Sequence, residues 1–251
     1  MSQHYLDAVV QSSSAGLPHA GMLEQALPFT VRVVRDEADL MKAVQIRQAA
    51  YGRHLPEFAQ TLRLPEALDM RPGVVVLLAE SKLDGMPLGS MRIQTNCCSP
   101  LALEQSLTLP ADLTARPLAE ATRLGVTGHR VGRMVKTLLF KAFFQYCQQQ
   151  GIEWMVIAGR SPIDRQYERL LFSDVYLGMG AIALRHAGNI PHRVMSFEVG
   201  SAERRWREAG HPLYDLVFRT AHADIDLGHA SPAFQPVHQQ RSPMREHKMA
   251  A

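Results

Sequence analysis

A glutamate and an arginine interrupt an otherwise apolar run at Leu118-Ala-Glu120-Ala-Thr-Arg123-Leu-Gly-Val126, and a turn bracketed by Gly128 and Gly132 follows at once. A carboxylate set among apolar neighbours becomes a better proton acceptor, because burial disfavours its charged form. An arginine essentially never releases its proton, so Arg123 is suited to orienting Glu120 or a nearby loop acid. Strand alternation places Glu120 and Thr122 on one face, with Ala121 and Arg123 on the other. The same two charges also fit an ion pair or a solvated strand end. The turn Gly128-His-Arg130-Val-Gly132 opens an apolar helix, whose first N–H groups and positive dipole end suit an anion such as a phosphate.

Upstream, Arg47 and Tyr51 stand one helical turn apart, where they can hold a carboxylate or a neighbouring loop. Glu66 and Asp69 are also one turn apart, and Arg92 lies in the strand-like Leu88-Gly-Ser-Met-Arg92-Ile-Gln94. Other chemistries lack their signatures. There is no G-x-S-x-G elbow, no P-loop, no dinucleotide fingerprint and no C-x-x-C pair. The eleven histidines are scattered, and His222 with Asp224 and Asp226 reads as a solvated turn, so no metal site is expected.

In order and type these pieces resemble the GNAT acyltransferase superfamily. More narrowly they resemble the bacterial N-acyl amino acid synthases and the related acyl-homoserine-lactone synthases. Arg47-Gln-Ala-Ala-Tyr51 is similar to the family's first helix, Glu66-Ala-Leu-Asp69 to its acidic pair, Arg92 to its strand-borne arginine, and Glu120 to Arg123 to its E-x-x-R strand. Arg165-Gln-Tyr167-Glu-Arg-Leu-Leu-Phe172 resembles a family helix end, with Leu171 where a glycine would stand.

The resemblance spans residues 30 to 200. It implies a GNAT-like α/β fold, a central mixed β-sheet flanked by helices. It also implies transfer of a fatty acyl group from an acyl carrier protein or coenzyme A thioester to the amine of an amino acid or similar small amine. Glu120 and Arg123 would be the catalytic pair. Backbone groups of Gly125, Val126 and Thr127 would anchor the thioester carbonyl, and Arg130, Gly132, Arg133 and Lys141 would serve the donor. Arg47, Tyr51, Glu66, Asp69 and Arg92 would serve the acceptor. The acyl-phosphopantetheine donor is a substrate, and no tightly bound cofactor is implied. Met134 stands where the family's phosphate loop has Gly or Ala, which shifts the expectation from free coenzyme A toward a carrier-bound donor. A lactone-forming synthase is the nearest enzymatic alternative, although the first-helix region lacks a Trp. A non-catalytic acyl-binding regulatory module would need the cleft but not Glu120.

Elements to position these residues can be read from the pattern. Phe29 to Arg35 alternates as a first strand, and Asp36-Glu37 starts a helix running through Tyr51. Gly52 to Pro72 reads as an irregular segment with short helical turns. Gly73 to Glu80 and Leu88 to Gln94 form a hairpin about Asp84-Gly85. After a Pro-rich connector come the Glu120 strand, the Gly132 helix ending at Gly151, and a buried strand at Trp154 to Ala158. On that helix Val131, Val135, Leu138, Leu139, Ala142, Phe143 and Tyr146 share one side, with Arg130, Arg133 and Lys141 opposite; Phe140 and Phe144 interrupt the basic side, so the helix is expected to be covered on more than one face. Pro162 opens another helix. Strands follow at Tyr176 to Leu184 and Arg193 to Val199, then a helix after Ser201.

With 251 residues, 46% hydrophobic and 20% charged, the chain can bury a sizeable core. We read a poorly ordered arm over 1–28, an acyltransferase domain over 29–227 and a disordered tail over 228–251. Three cysteines without a disulfide framework, no signal segment and no membrane span point to a cytoplasmic protein. A net charge of +3 favours acidic partners, of which a carrier protein fits better than nucleic acid, because the basic residues are not clustered.

Overall fold

The computed structural model describes residues 22–228. Its centre is a nine-stranded mixed sheet, in the order β11-β2-β3-β4-β5-β6-β9-β7, with β8 paired to β9. The strands are β1 (Leu23–Glu24), β2 (Phe29–Val33), β3 (Val74–Ser81), β4 (Pro87–Thr95), β5 (Leu118–Val126) and β6 (Trp154–Gly159). They continue with β7 (Ser173–Asp174), β8 (Ile182–Leu184), β9 (Ile190–Glu198), β10 (Thr220–Ala221) and β11 (Ile225–Asp226). The helices are α1 (Glu37–Gly52), α2 (Pro56–Gln60), α3 (Ala111–Thr114), α4 (His129–Gln149), α5 (Asp164–Arg169) and α6 (Ala202–Glu208).

The hydrophobic pattern dictates three layers. Val135, Leu138, Leu139, Ala142 and Phe143 of α4 pack with Val75, Leu77, Met91, Ile93 and Ala119 on one face of the sheet. On the other face Leu40 and Ala43 of α1 meet Val76 and Leu78. A sheet whose two faces are both covered must be apolar along its whole central strands, and Val74 through Ala79 of β3 are all buried. Asp36 caps α1 by accepting the Asp39 N–H at 2.8 Å.

Strands β2 to β5 are antiparallel, whereas β5 and β6 run parallel with α4 as their crossover. The Glu120 and Trp154 strands are therefore neighbours in one sheet, as the sequence pattern requires.

Several boundaries differ from the sequence reading. Residues 22–28 are not a loose arm: β1 pairs with β10, and Leu27 is buried while its N–H reaches Asp224 at 2.7 Å. Residues 1–21 and 229–251, including nearly all of the expected tail, lie outside the described residues. The strand expected over 176–184 is only Ile182–Leu184. Val131 is 44% exposed and does not join the buried side of α4.

Lys141 departs most. Its side chain is buried, and its Nζ donates to Leu216 O at 2.8 Å and to Thr220 O, with His222 Nδ1 2.9 Å away. Burial pushes the Lys141 pKa down to about 8. The segment Leu213 to His222 folds back over α4 and covers the side that a lone-helix projection leaves in water. His222 is accordingly enclosed, not part of a solvated turn.

Candidate active site

Strands β5 and β6 pair from Leu118↔Trp154 to Ala121↔Ile157 and no further. Beyond that point they splay, and a cavity of about 340 Å³ opens between them, lined among others by Thr122, Leu124, Val126, Ala158, Gly159 and Arg160. On its other side β5 stays paired to β4, with Arg92 opposite Thr122 and Ser90 opposite Gly125. One extra residue in β5 makes this a β-bulge, and Arg123 sits in it at φ 54°. The bulge breaks the expected alternation. Arg123 joins Arg92 at Glu66, while Arg92 Nε donates to Thr122 Oγ1 at 3.0 Å.

The backbone of the three residues expected to anchor a carbonyl is only partly free. Thr127 N–H donates to Leu88 O at 2.8 Å and so belongs to the sheet. Alternation from Thr127 then turns the Val126 peptide N–H away from β4 and toward the gap. Gly125 faces α1, where a Cβ would lie 3.0 Å from Arg47 Cα and 3.1 Å from Ala50 Cβ, so its bareness seats the helix against the strand.

Five charged residues from four segments, α1, the 66–69 loop, β4 and β5, meet in one network. Glu66 accepts from Arg123 Nε and Nη2, both at 2.6 Å, and from Arg92 at 3.1 Å. Asp69 accepts from Arg47 at 2.9 and 3.1 Å and from Arg92 at 3.2 Å. Burial alone would raise both carboxyl pKa values, but the arginines outweigh it and hold both below the usual carboxylate range. Arg47 and Arg92 are 0% and 1% exposed, and their guanidinium groups are taken up by this network. They tie the 66–69 loop to the sheet and do not present a cation to the gap. Tyr51 does line the gap, beside Phe58 at a ring separation of 5.7 Å. Arg160 and Arg53 line it too, and neither pairs with a carboxylate among the described residues.

Glu120 is fully buried. Its Oε2 accepts the Leu103 N–H at 3.2 Å, and Oε1 has no hydrogen-bond partner among the described residues. Burial raises its pKa to about 7, against the pull of the Leu103 N–H, Arg92 and the other donors around it. Of the two targets foreseen for Arg123, the structure selects the loop acid Glu66; its Nη2 also donates to His186 O at 2.7 Å. The nearest ionisable neighbour of Glu120 is one the sequence did not single out: His186 Nε2 lies 3.6 Å from Glu120 Oε1. His186 sits on a 3₁₀ turn just after β8 and carries no motif, so only the fold brings it to Glu120.

At the start of α4, Gly132 answers to the chain's own backbone. A Cβ there would fall 1.9 Å from Thr127 O. Gly132→Ala must therefore move the 127–129 turn, and overpacking of this kind costs about 1–3 kcal/mol. We expect its Tm to fall by roughly 2–12 °C, by the size scaling for domains of this length. A thermal melt matching wild type would show that the turn yields freely. Arg130 and Arg133 are exposed beside it, as expected, together with Val131 and Met134.

A second cavity of about 390 Å³ lies on the α4 side of the sheet, walled by Phe140, Phe144, Met155, Phe172, Trp206 and Phe218 among others. Lys136, Gln166 and Tyr167 line both cavities, with Lys136 Nζ bonded to Gln166 Oε1 where the two meet. Leu171 holds φ 67°, the left-handed conformation that a glycine at that position would supply without strain.

No family model matches the sequence, and no curated protein sequence does. Among solved structures, the chain is similar to FeeM, an N-acyl amino acid synthase from uncultured soil microbes. That match has a TM-score of 0.55 and 16% identity, over 72% of this chain and 96% of that one. It is also similar to BjaI, a coenzyme A-dependent acyl-homoserine lactone synthase, with a TM-score of 0.53 and 15% identity over 77% and 93% of the two chains. These are the two kinds of protein that the sequence motifs resembled, and the shared fold is the mixed sheet flanked by helices described above.

Proposed function

We propose that this protein is an N-acyltransferase, moving a fatty acyl group from a phosphopantetheine thioester to the amine of an amino acid or similar small amine. One observation carries the reading: the gap between β5 and β6 lies beside an enclosed, proton-accepting Glu120 and adjoins a large apolar cavity. A pantetheine arm laid in the gap meets the Val126 peptide N–H, which is positioned to bind the thioester carbonyl as its oxygen gains charge. The acyl chain passes the Lys136, Gln166 and Tyr167 wall into the aromatic cavity, whose size falls within the usual range for small-molecule sites.

With Arg47 and Arg92 closed off, Arg160 takes over the acceptor's carboxylate in this proposal. Arg130 and Arg133 flank the entry at α4 and suit an acidic carrier, which would bring the donor to a turn that Met134 leaves loose for a free pyrophosphate. Lys141 drops out of the donor set, because it is bound inside the protein. A carrier-dependent reaction also suits the cytoplasm.

The test is direct. Purified protein is given acyl-carrier and acyl-coenzyme A thioesters of graded chain length with a panel of amino acids, and N-acyl products are read by mass spectrometry. Each methylene removed from a chain that fills the cavity should lower kcat/KM about fourfold, since burying one is worth ~0.8 kcal/mol. Raising salt should slow the carrier reaction and spare the coenzyme A reaction, because charge docking is screened within about 8 Å at physiological ionic strength. Arg160→Ala should raise KM for the amine alone. Absence of acyl transfer with every donor and amine would sink the enzymatic reading.

A further inference from the structure

Two adjacent nucleophiles take no part in the chemistry above. Cys97 and Cys98 follow the end of β4, both exposed, with their sulfurs 3.2 Å apart. Neighbouring side chains in extended backbone point to opposite sides, so it is the turn after Thr95 that brings the two thiols together. Their hydrogen bonds run one way. Thr95 Oγ1 donates to Gly73 O at 3.1 Å and so accepts the Cys97 S–H at 2.9 Å, which leaves a Cys97 lone pair for the Cys98 S–H. That donation to Cys97 holds the Cys98 thiol pKa above its ordinary value. Gly73, at φ 78°, faces the pair with bare backbone: a Cβ there would stand 3.2 and 3.3 Å from the two sulfurs. Cys147 is different, because it is buried and burial holds its thiol well above the usual range.

We propose that Cys97 and Cys98 form a reversible redox site, a dithiol that a peroxide closes to a disulfide between neighbouring residues. Cys97, which receives the Cys98 S–H and is open to solvent, attacks first. Its sulfur bonds to one oxygen of hydrogen peroxide, the O–O bond breaks and water leaves, giving a sulfenic acid. The Cys98 sulfur then attacks the Cys97 sulfur, the S–O bond breaks and a second water leaves. The pair gives up two electrons and two protons, and the peroxide becomes two waters. Consecutive Cα atoms stand about 3.8 Å apart, inside the ~4.4 Å lower limit usual for a disulfide, so the closed ring is strained and readily reduced. A strained, exposed disulfide suits regulation more than architecture.

Closure also reaches Glu120. Bond formation draws the sulfurs to about 2.05 Å and takes Cys97 off Thr95. The chain after Cys98 hangs on Gln94, the residue paired with Glu120 across β4 and β5. The Gln94 amide donates to Ser99 Oγ at 3.3 Å and to Pro100 O at 2.8 Å, and its oxygen accepts the Ala102 N–H at 3.0 Å. The next N–H, that of Leu103, donates to Glu120, so a shift of this turn loosens the hydrogen bond on the carboxyl group.

Mass spectrometry of the full chain after hydrogen peroxide tests the site without reference to activity. The expected product has lost two hydrogens, both from the tryptic peptide 93–116, which holds Cys97 and Cys98 but not Cys147, and dithiothreitol restores them. Cys98→Ser, lacking the second sulfur, should instead carry extra oxygen on Cys97. Oxygen added to the wild type with no loss of hydrogen, or a disulfide to Cys147 or between chains, would overturn the site. A second arm rests on the acyl-transfer reading above. Oxidation should lower kcat/KM by about tenfold, the worth of one hydrogen bond to a charged group, and reductant should restore it. Cys97→Ser should keep its rate under peroxide. Disulfide formation with an unchanged rate would keep the site and overturn its link to Glu120. Should the reduced wild type turn over no thioester, the acyl-transfer reading falls, while the mass result still decides for or against the dithiol.

Discussion

Glu120→Gln is expected to lower acyl transfer by about 10²- to 10⁴-fold, the usual contribution of a positioned acid–base group, while leaving the protein folded. The amide keeps the shape of the carboxyl and an oxygen for the Leu103 N–H, so the loss falls on proton transfer. Its stability should move the other way. A carboxyl whose pKa rises from 4.5 unfolded to about 7 folded holds its proton more tightly in the native state. That contribution is complete below about 4.5 and is lost as pH climbs through about 7. The glutamine variant carries no such charge, so its Tm relative to wild type should rise between pH 4.5 and pH 7. Measuring kcat/KM at saturating donor, with parallel melts at three pH values, separates the two effects. Full activity in the variant would remove Glu120 from the reaction.

Asp69→Ala should bring the largest loss of stability of any single change here. Asp69 is enclosed and accepts hydrogen bonds from Arg47, Arg92 and the Glu66 N–H. Its removal leaves three buried guanidinium groups, those of Arg47, Arg92 and Arg123, sharing the single carboxylate of Glu66. Stripping one partner from a buried ion pair costs about 3–5 kcal/mol. For a domain of this length that is a fall of roughly 6–20 °C in Tm. Asp69→Asn keeps the shape and should lose less. Circular dichroism melts of both variants check the order, and an alanine variant that melts within 2 °C of wild type would show that Glu66 alone satisfies the arginines.

Local pattern made most of this architecture legible. Asp36 announced the start of α1, and the apolar run after Gly73 announced a strand, which the structure buries on both faces. Glu120 stood out because a charge inside an apolar strand demands a reason. What stayed hidden depends on partners far along the chain. The bulge at Arg123 exists only in the register of β5 against β4, which no alternation within β5 can reveal. Lys141 reads as surface when α4 is projected alone, since its cover arrives from Leu216 to His222. Arg47 and Arg92 were visible as cations, but their choice between a ligand and the 66–69 loop is made by packing. His186 offered no spacing to read at all.

Charge balance in the interior gives the Arg47, Arg92 and Arg123 cluster one more consequence. With Glu66, Asp69 and an ionised Glu120, it makes an enclosure of three cations and three anions that is electrically neutral. Uptake of a proton by Glu120 relieves its own burial but leaves the cluster with one net positive charge, and the pull of Arg92 and Arg123 loosens its hold on that proton. The interior then behaves as a small charged capacitor, and its shortest discharge path is to hand the proton to an anion at its rim. In the proposed reaction a thiolate leaving the tetrahedral intermediate is that anion. Cleavage of the carbon–sulfur bond and the resetting of Glu120 become a single electrical event, with no second acid required for the leaving group.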